Sequence, residues 1–229
     1  VVSSVLATGY LMRVKADYRV SLRKIKIHRQ MAGRIVKIGL PTGIQNMVIS
    51  LSNILVQSSV NGFGADAVAG FGAYLKIDGF NILPVMSISM AVTTFTGQNY
   101  GAGKPERIWM GVKVSALMMI IYWAFTFCVL MLGARTFALL FVEASELEIL
   151  KDTELFLHIS VSFFPVLGLL CILRYTIQGA GYTNLAMLSG VSEMIARVLV
   201  SLYAVPAFGY LAVCFGDPTA WIAAVLFLV

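Results

Sequence analysis

The feature that most constrains this chain is a set of five long apolar stretches, bounded by glycine, proline or charge, at residues 35–60, 67–95, 108–132, 153–177 and 185–205. A helix of about 20 residues rises about 30 Å, which is the thickness of a bilayer's hydrocarbon core. Hydrophobic residues make up 59% of the 229 residues and charged residues only 12%. A soluble protein would need such helices buried all round. The sequence therefore predicts an all-α integral membrane protein, a polytopic helical bundle.

Shorter apolar runs lie at the two ends of the chain, at residues 1–12 and 219–229. Neither is long enough to span a bilayer. We interpret both as parts of further helices and expect the chain to be a fragment of a larger protein. The expected domains are the end of a transmembrane helix (1–12), a basic linker (13–34) and a transmembrane lobe (35–229) with a truncated last helix.

The distribution of cations predicts the orientation in the membrane. Nine of the 17 lysines and arginines precede or begin the first long stretch: Arg13, Lys15, Arg19, Arg23, Lys24, Lys26, Arg29, Arg34 and Lys37. By the positive-inside rule this segment is cytoplasmic. Counting crossings then makes the connections 61–66, 133–152 and 207–218 external and the connections 97–107 and 179–183 internal. The net charge of +6 fits anionic lipid at the inner leaflet better than nucleic acid.

Signals for soluble chemistry are weak. The segment GQNYGAGK at residues 97–104 lacks the glycine and hydroxyl spacing of a phosphate-binding loop, and it suits a helix end followed by a tight turn. His28 and His158 stand in no metal-binding spacing, and the cysteines form no CxxC pair. We therefore predict no enzyme activity, no metal and no cofactor.

Polar residues recur along the first long stretch at steps of four, three and four: Asn46, Ser50, Asn53 and Gln57. These steps place the four side chains within about 60° on one helical face. That face either forms hydrogen bonds with a neighbouring helix or lines a wet cavity. Both interpretations stay open at this point.

Four charged residues fall near the middle of predicted spans: Lys76, Asp78, Glu193 and Arg197. Each unpaired charge at that depth would cost about 3 kcal/mol, so these side chains must be paired, neutralised or in contact with water. Glu193 and Arg197 are four residues apart, which favours an ion pair within one helix. Lys76 and Asp78 point to opposite sides of their helix, so we expect one to find a partner on another helix and the other to face a cavity.

Six motifs follow one another along the chain: IGLPTGIQN (38–46), VNGFGADAVAGFGAY (60–74), FTGQNYGAGKPER (95–107), LRYTIQGAGYTN (173–184), SEMIAR (192–197) and DPTAW (217–221). Their order resembles that in the second half of bacterial multidrug and toxic compound extrusion (MATE) transporters. The resemblance implies the C-terminal six-helix lobe of a twelve-helix transporter, packed against its own N-terminal lobe in the bacterial inner membrane. It also implies export of small organic, often cationic, compounds in exchange for H⁺ or Na⁺.

One position departs from the resemblance. Family members thought to couple through this lobe carry a glutamate eight residues after the proline of the GLP motif, where this chain has Ile49. Coupling would then involve Asp78, Glu193 or an acid of the N-terminal lobe. The leading hypothesis is cation-coupled efflux by alternating access. The alternatives are a flippase for lipid-linked sugars and a non-transporting membrane scaffold or receptor.

Overall fold

The computed structural model describes residues 2–15, 19–21 and 26–229, and every element in this part of the chain is helical. The main helices are α1 (Val2–Arg13), α2 (Arg29–Asn61), α3 (Ala65–Gly101), α4 (Pro105–Ala138), α5 (Leu147–Gly179) and α6 (Thr183–Leu199). A π-helical segment (Val200–Ala204) continues α6 and leads to α7 (Val205–Phe208), α8 (Tyr210–Cys214) and α9 (Gly216–Leu228). The predicted fold class, a helical bundle, is confirmed.

Tight turns join the long helices where the sequence predicts them. Gly103 between α3 and α4 has a φ of 66°, and Gly181 between α5 and α6 has a φ of 92°. A side chain would be strained in this left-handed region, so glycine suits both turns. The glycine-rich segment 97–104 is therefore a helix end and a turn, as expected.

Helix α5 lies at the centre of the bundle and packs against α3, α4, α6 and α9. Next to α3, the ring centroids of Tyr74 and Phe156 are 4.4 Å apart, and both side chains are almost fully buried. A second apolar cluster joins Phe164 of α5 to Trp221 of α9, with 6.3 Å between their centroids. Because α5 contacts so many neighbours, its side chains are well placed to connect the other helices.

Within the described residues, four helices are long and apolar enough to cross a membrane: Ala65–Gly101, Pro105–Ala138, Leu147–Gly179 and Thr183–Phe208. They contain four of the five predicted spans. Helix α2, which contains the predicted span 35–60, is 33 residues long but is not among them. Helix α2 is thus long enough to span, as predicted, but its polar residues lower its hydropathy, so four of the five predicted spans are supported by both length and composition.

Three boundaries also differ from the sequence-based expectations. Helix α2 begins at Arg29, inside the predicted linker 13–34, whose residues 16–18 and 22–25 lie outside the described part of the chain. The predicted connection 133–152 is reduced to the residues between Ala138 and Leu147. The predicted connection 207–218 is mostly helical, because α7, α8 and the start of α9 occupy it.

The chain divides into two compact units, Val1–Gly39 and Leu40–Val229. In the first unit, the Arg19 side chain donates a hydrogen bond of 2.9 Å from Nε to the Met12 carbonyl at the end of α1. The second unit contains the bundle and all of the candidate site residues. Residues 1–12, expected to end a transmembrane helix, are helical from Val2 onwards.

Candidate functional site

A buried cluster of four charged side chains connects α5, α6 and α9. Arg174 of α5 pairs with Glu193 of α6 through Nη2 and Oε1, and both side chains are less than a tenth exposed. The Nε of Arg174 also donates a hydrogen bond of 2.9 Å to the Ser189 hydroxyl. Ser189 in turn donates to the Ala186 carbonyl at 2.7 Å. Arg174 is therefore held by partners on α6.

Arg197 extends this cluster to two further helices. Its Nη2 lies 2.9 Å from Oδ1 of Asp217 at the start of α9. Its Nη1 donates to the Ser52 hydroxyl at 2.9 Å and to Oδ1 of Asn53 at 3.2 Å, both on α2. Two arginines and two acids thus balance in charge, and we call Arg174, Glu193, Arg197 and Asp217 the charge cluster.

The predicted pair of Glu193 and Arg197 is present, but the two side chains are 4.0 Å apart, and each has a closer partner on another helix. Sequence reasoning missed Arg174 and Asp217. Both lie in segments that were quoted for their family resemblance, LRYTIQGAGYTN and DPTAW. A search for every charge inside or beside an apolar span would have found them, but spacing along the chain could not have paired them.

The polar face predicted on α2 lies beside the buried face of that helix. Asn46, Ser50 and Asn53 are exposed in this lobe, and Gln57 is half-buried and donates to the Asn61 side chain at 3.1 Å. The buried residues of α2 in the lobe interior are Gln45, Val48, Ser52, Val56 and Val60. Of the four predicted residues, only Asn53 contacts the charge cluster.

The remaining exposed side of α2 is apolar apart from Ser58. Met47, Leu51 and Ile54 are 58%, 49% and 63% exposed. Helix α2 therefore presents two different outer surfaces, one polar and one apolar, at neighbouring angles around its axis. We call Asn46, Ser50 and Asn53 the polar stripe.

Asp78 is half-buried on α3 and belongs to a chain of polar groups. Its carboxylate accepts a hydrogen bond from the Asn81 side chain. Tyr122 of α4 donates to the Asn81 carbonyl at 2.7 Å and to its Oδ1 at 2.9 Å. Asp78 is also close enough to Asp217 for the two charges to interact. No cation in the described chain forms an ion pair with Asp78.

Lys76, which was predicted to lie near the middle of its span, stands eleven residues after the start of α3 at Ala65. Its Nζ lies over the Phe141 ring, 5.3 Å from the centroid, beside the connection between α4 and α5. It lines a cavity there with Glu143 and Glu146. Of the two charges on α3, Lys76 is thus the one that faces a cavity, while Asp78 bonds within its own helix.

A model of the MatE protein family matches residues 41–203, which is most of the chain. The chain belongs to the MatE family. This match confirms the resemblance drawn from the motifs. The matched residues include α3 to α6 and the part of α2 that carries the polar stripe.

The curated relatives are named for multidrug resistance, multidrug export or FAD transport. The chain is 29% identical over 147 residues to the probable multidrug resistance protein YpnP of Bacillus subtilis, which covers 64% of this chain and 33% of that protein. It is 24% identical over 168 residues to an FAD transporter of Shewanella oneidensis, covering 72% and 36%. With the multidrug export protein MepA of Staphylococcus aureus (strain NCTC 8325 / PS 47), identity is 25% over 188 residues, covering 79% and 40%.

Solved MATE structures share the fold. A transporter of the MOP superfamily from Pyrococcus furiosus has a TM-score of 0.87 at 22% identity, covering 99% of this chain and 52% of that one. An outward-facing multidrug resistance MATE transporter has a TM-score of 0.85 at 20% identity, covering 98% and 51%. The chain thus spans about a third of the length of the first curated relatives and about half of the solved MatE-type folds.

The relatives are named for multidrug resistance, multidrug export or FAD transport, and none of these names describes an enzyme. The names of the relatives favour transport over a scaffold or receptor role, and they do not favour the lipid-linked sugar flippase. Small molecules are accordingly the class of substrate that the family handles.

Proposed function

We propose that the full-length protein is a cation-coupled antiporter that exports small organic, often cationic, compounds by alternating access. The MatE match and the relatives named for multidrug export support this proposal. The observation that carries it is the polar stripe on α2, an exposed polar surface on a helix of a membrane lobe.

The physical argument rests on the two outer surfaces of α2. Polar groups exposed to lipid cannot exchange their hydrogen bonds with water, so they face water or protein instead. The neighbouring apolar surface, which includes Met47 and Ile54, suits the acyl chains. The polar stripe then faces a central, water-accessible cavity shared with the N-terminal lobe. Carboxamide and hydroxyl groups there can orient varied organic substrates.

The acids of this chain differ in their suitability for ion coupling. Glu193 and Asp217 are paired with arginines in the charge cluster, and Ile49 occupies the position of the family's acid. Asp78 has the Asn81 amide as its partner, with Tyr122 behind it. We propose that Asp78 responds to H⁺ or Na⁺ during transport, with an acid of the N-terminal lobe as the alternative. The setting we propose is the bacterial inner membrane.

Dye efflux from vesicles tests the polar stripe. We expect an imposed H⁺ or Na⁺ gradient to drive efflux by the reconstituted full-length protein. Asn46→Leu should lower the rate about tenfold, because a lost polar contact with the substrate costs about 1.4 kcal/mol. Met47→Leu is the matched control, because it also introduces leucine, one residue away on the apolar surface of α2. This variant should transport like the parent. Equal rates for both variants would contradict the proposal.

Asp78→Asn tests the coupling role. The amide can keep a hydrogen bond with Asn81, so insertion and thermal stability should stay close to the parent. Efflux should fall, or its pH dependence should shift, because the asparagine cannot take up a proton. The groups that face Asp78 are Asn81, Tyr74, Tyr122 and Asp217, so Tyr122→Phe is a control that keeps the acid. Parent-like transport by Asp78→Asn between about pH 6 and 8 would place the coupling acid in the other lobe.

A further inference from the structure

A second polar feature lies away from the polar stripe, beside the connection between α4 and α5. It is a cavity of about 400 Å³ between this connection and α3, and its charged lining residues are Lys76, Glu143 and Glu146. That volume lies within the range of small-molecule sites. The efflux proposal gives this cavity no role.

The depth of Lys76 along α3 places the cavity at the membrane surface. Helix α3 has 37 residues, so it is about 55 Å long. Centred on a hydrocarbon core of about 30 Å, it would extend about 12 Å beyond each side. Lys76 lies eleven residues after Ala65, or about 16 Å along the helix. Its Cα is thus only about 4 Å inside the core, and the long side chain reaches the head-group region.

The Lys76 ammonium is held in place but not neutralised. The Phe141 ring lies beneath it at 5.3 Å, a contact that favours a cation without removing its charge. No carboxylate of the described residues forms an ion pair with it. Glu143 and Glu146 line the same cavity as exposed acids. One free cation therefore shares a cavity with two acids at head-group depth.

We propose that this cavity binds the head group of a zwitterionic phospholipid with a primary amine, such as phosphatidylethanolamine. The lipid phosphate would pair with Lys76, and its ammonium would donate hydrogen bonds to Glu143 and Glu146. Phosphatidylglycerol carries the same phosphate but has no ammonium to pair with the two carboxylates. A choline head group has no N–H to donate. The proposal depends on membrane insertion and on the cavity, and it does not depend on the efflux function.

Lipid retention by the purified full-length protein tests this site. The protein is equilibrated in detergent with equal amounts of phosphatidylethanolamine, phosphatidylcholine and phosphatidylglycerol, and bound lipids are counted by native mass spectrometry. We expect the ethanolamine lipid to be retained about fivefold better than either other lipid, as two charge-assisted contacts would allow. Lys76→Gln should lower the retention of all three lipids, because each of them carries the phosphate that pairs with Lys76. The double variant Glu143→Gln/Glu146→Gln should remove the preference over the choline lipid.

Three further variants separate binding from folding. Glu148→Gln and Lys151→Gln change an exposed ion pair close to the cavity but outside its lining, so both should retain lipid like the parent. Gly72→Leu fills the cavity, because a Cβ at Gly72 would meet no atom within 4 Å. It should lower retention without changing any charge, even if Lys76→Gln folds poorly.

Three results would overturn the proposal. The first is equal retention of the ethanolamine and choline lipids by the parent protein. The second is parent-like retention by both Lys76→Gln and Gly72→Leu. The third is displacement of the lipid by an equal concentration of soluble glycerophosphoethanolamine, which would assign the cavity to a free zwitterion rather than to a membrane lipid.

Discussion

Replacing Glu193 by glutamine is the most direct test of how the charge cluster stabilises this lobe. Glu193 is 3% exposed, and its carboxylate lies between Arg174 and Arg197. In the parent, two arginines balance Glu193 and Asp217. After the substitution, one buried positive charge has no counter-ion, and the similar size of glutamine excludes a large packing defect.

The size of the effect follows from this imbalance. Removing one partner of a buried ion pair costs about 3–5 kcal/mol, because the other charge stays buried without compensation. Asp217 remains 2.9 Å from Arg197, so the uncompensated charge is that of Arg174. We therefore expect the free energy of unfolding to fall by about 3–5 kcal/mol, a large share of a typical stability.

A double substitution separates lost charge balance from other damage. In Arg174→Met/Glu193→Met both charges of the pair are absent, while Arg197 and Asp217 still balance each other. We expect this variant to recover at least half of the loss seen in Glu193→Met, because apolar side chains can replace a buried pair at little cost. Exchanging Glu193 and Arg197 should not rescue stability, since an arginine at position 193 would face Arg174.

Unfolding of the full-length protein by SDS in mixed micelles, followed by circular dichroism, measures these differences. Glu148→Gln is the control, because it removes an exposed pair with Lys151 and should cost less than about 1 kcal/mol. Parent-like stability of Glu193→Gln, or a double variant as unstable as Glu193→Met, would refute the reasoning.

Two other predictions concern topology and packing. Cysteines introduced by Lys104→Cys and Glu146→Cys should react with membrane-impermeant reagents from opposite sides of the membrane. Lys104→Cys should be labelled from the cytoplasm, because lysine and arginine are enriched in cytoplasmic loops. Gly179→Ala should destabilise the protein by about 1–3 kcal/mol, because its Cβ would lie 2.5 Å from the Thr93 carbonyl oxygen.

Each of these predictions has its own control. Labelling of Lys104→Cys from the outside would reverse the proposed orientation, and labelling of both positions from one side would contradict the helix arrangement. Gly79→Ala introduces the same methyl group on α3, where a Cβ would meet no atom within 4 Å, so its unfolding free energy should match or slightly exceed that of the parent. Equal stabilities of Gly179→Ala and Gly79→Ala would show that α3 and α5 do not approach as closely as described.

The sequence by itself determined the class of fold, most of the spans and the family. Long apolar runs can satisfy their backbone groups in a bilayer only as helices, so hydropathy and length were sufficient to predict α3, α4 and α5. Glycines at positive φ, such as Gly103 and Gly181, marked the turns because no other residue is unstrained there. The polar stripe on α2 was also visible, since helical periodicity is a local property.

The tertiary structure alone decided how the charges are paired. Spacing along the chain predicted a pair of Glu193 and Arg197, but Arg174 is nearer to Glu193 and Asp217 is nearer to Arg197. Which side chains meet across helices depends on how the helices pack. Likewise, Lys76 faces the cavity near Phe141 because the connection between α4 and α5 folds beside α3. Periodicity along one helix describes its faces, but the identity of the neighbour at each face is a property of the whole bundle.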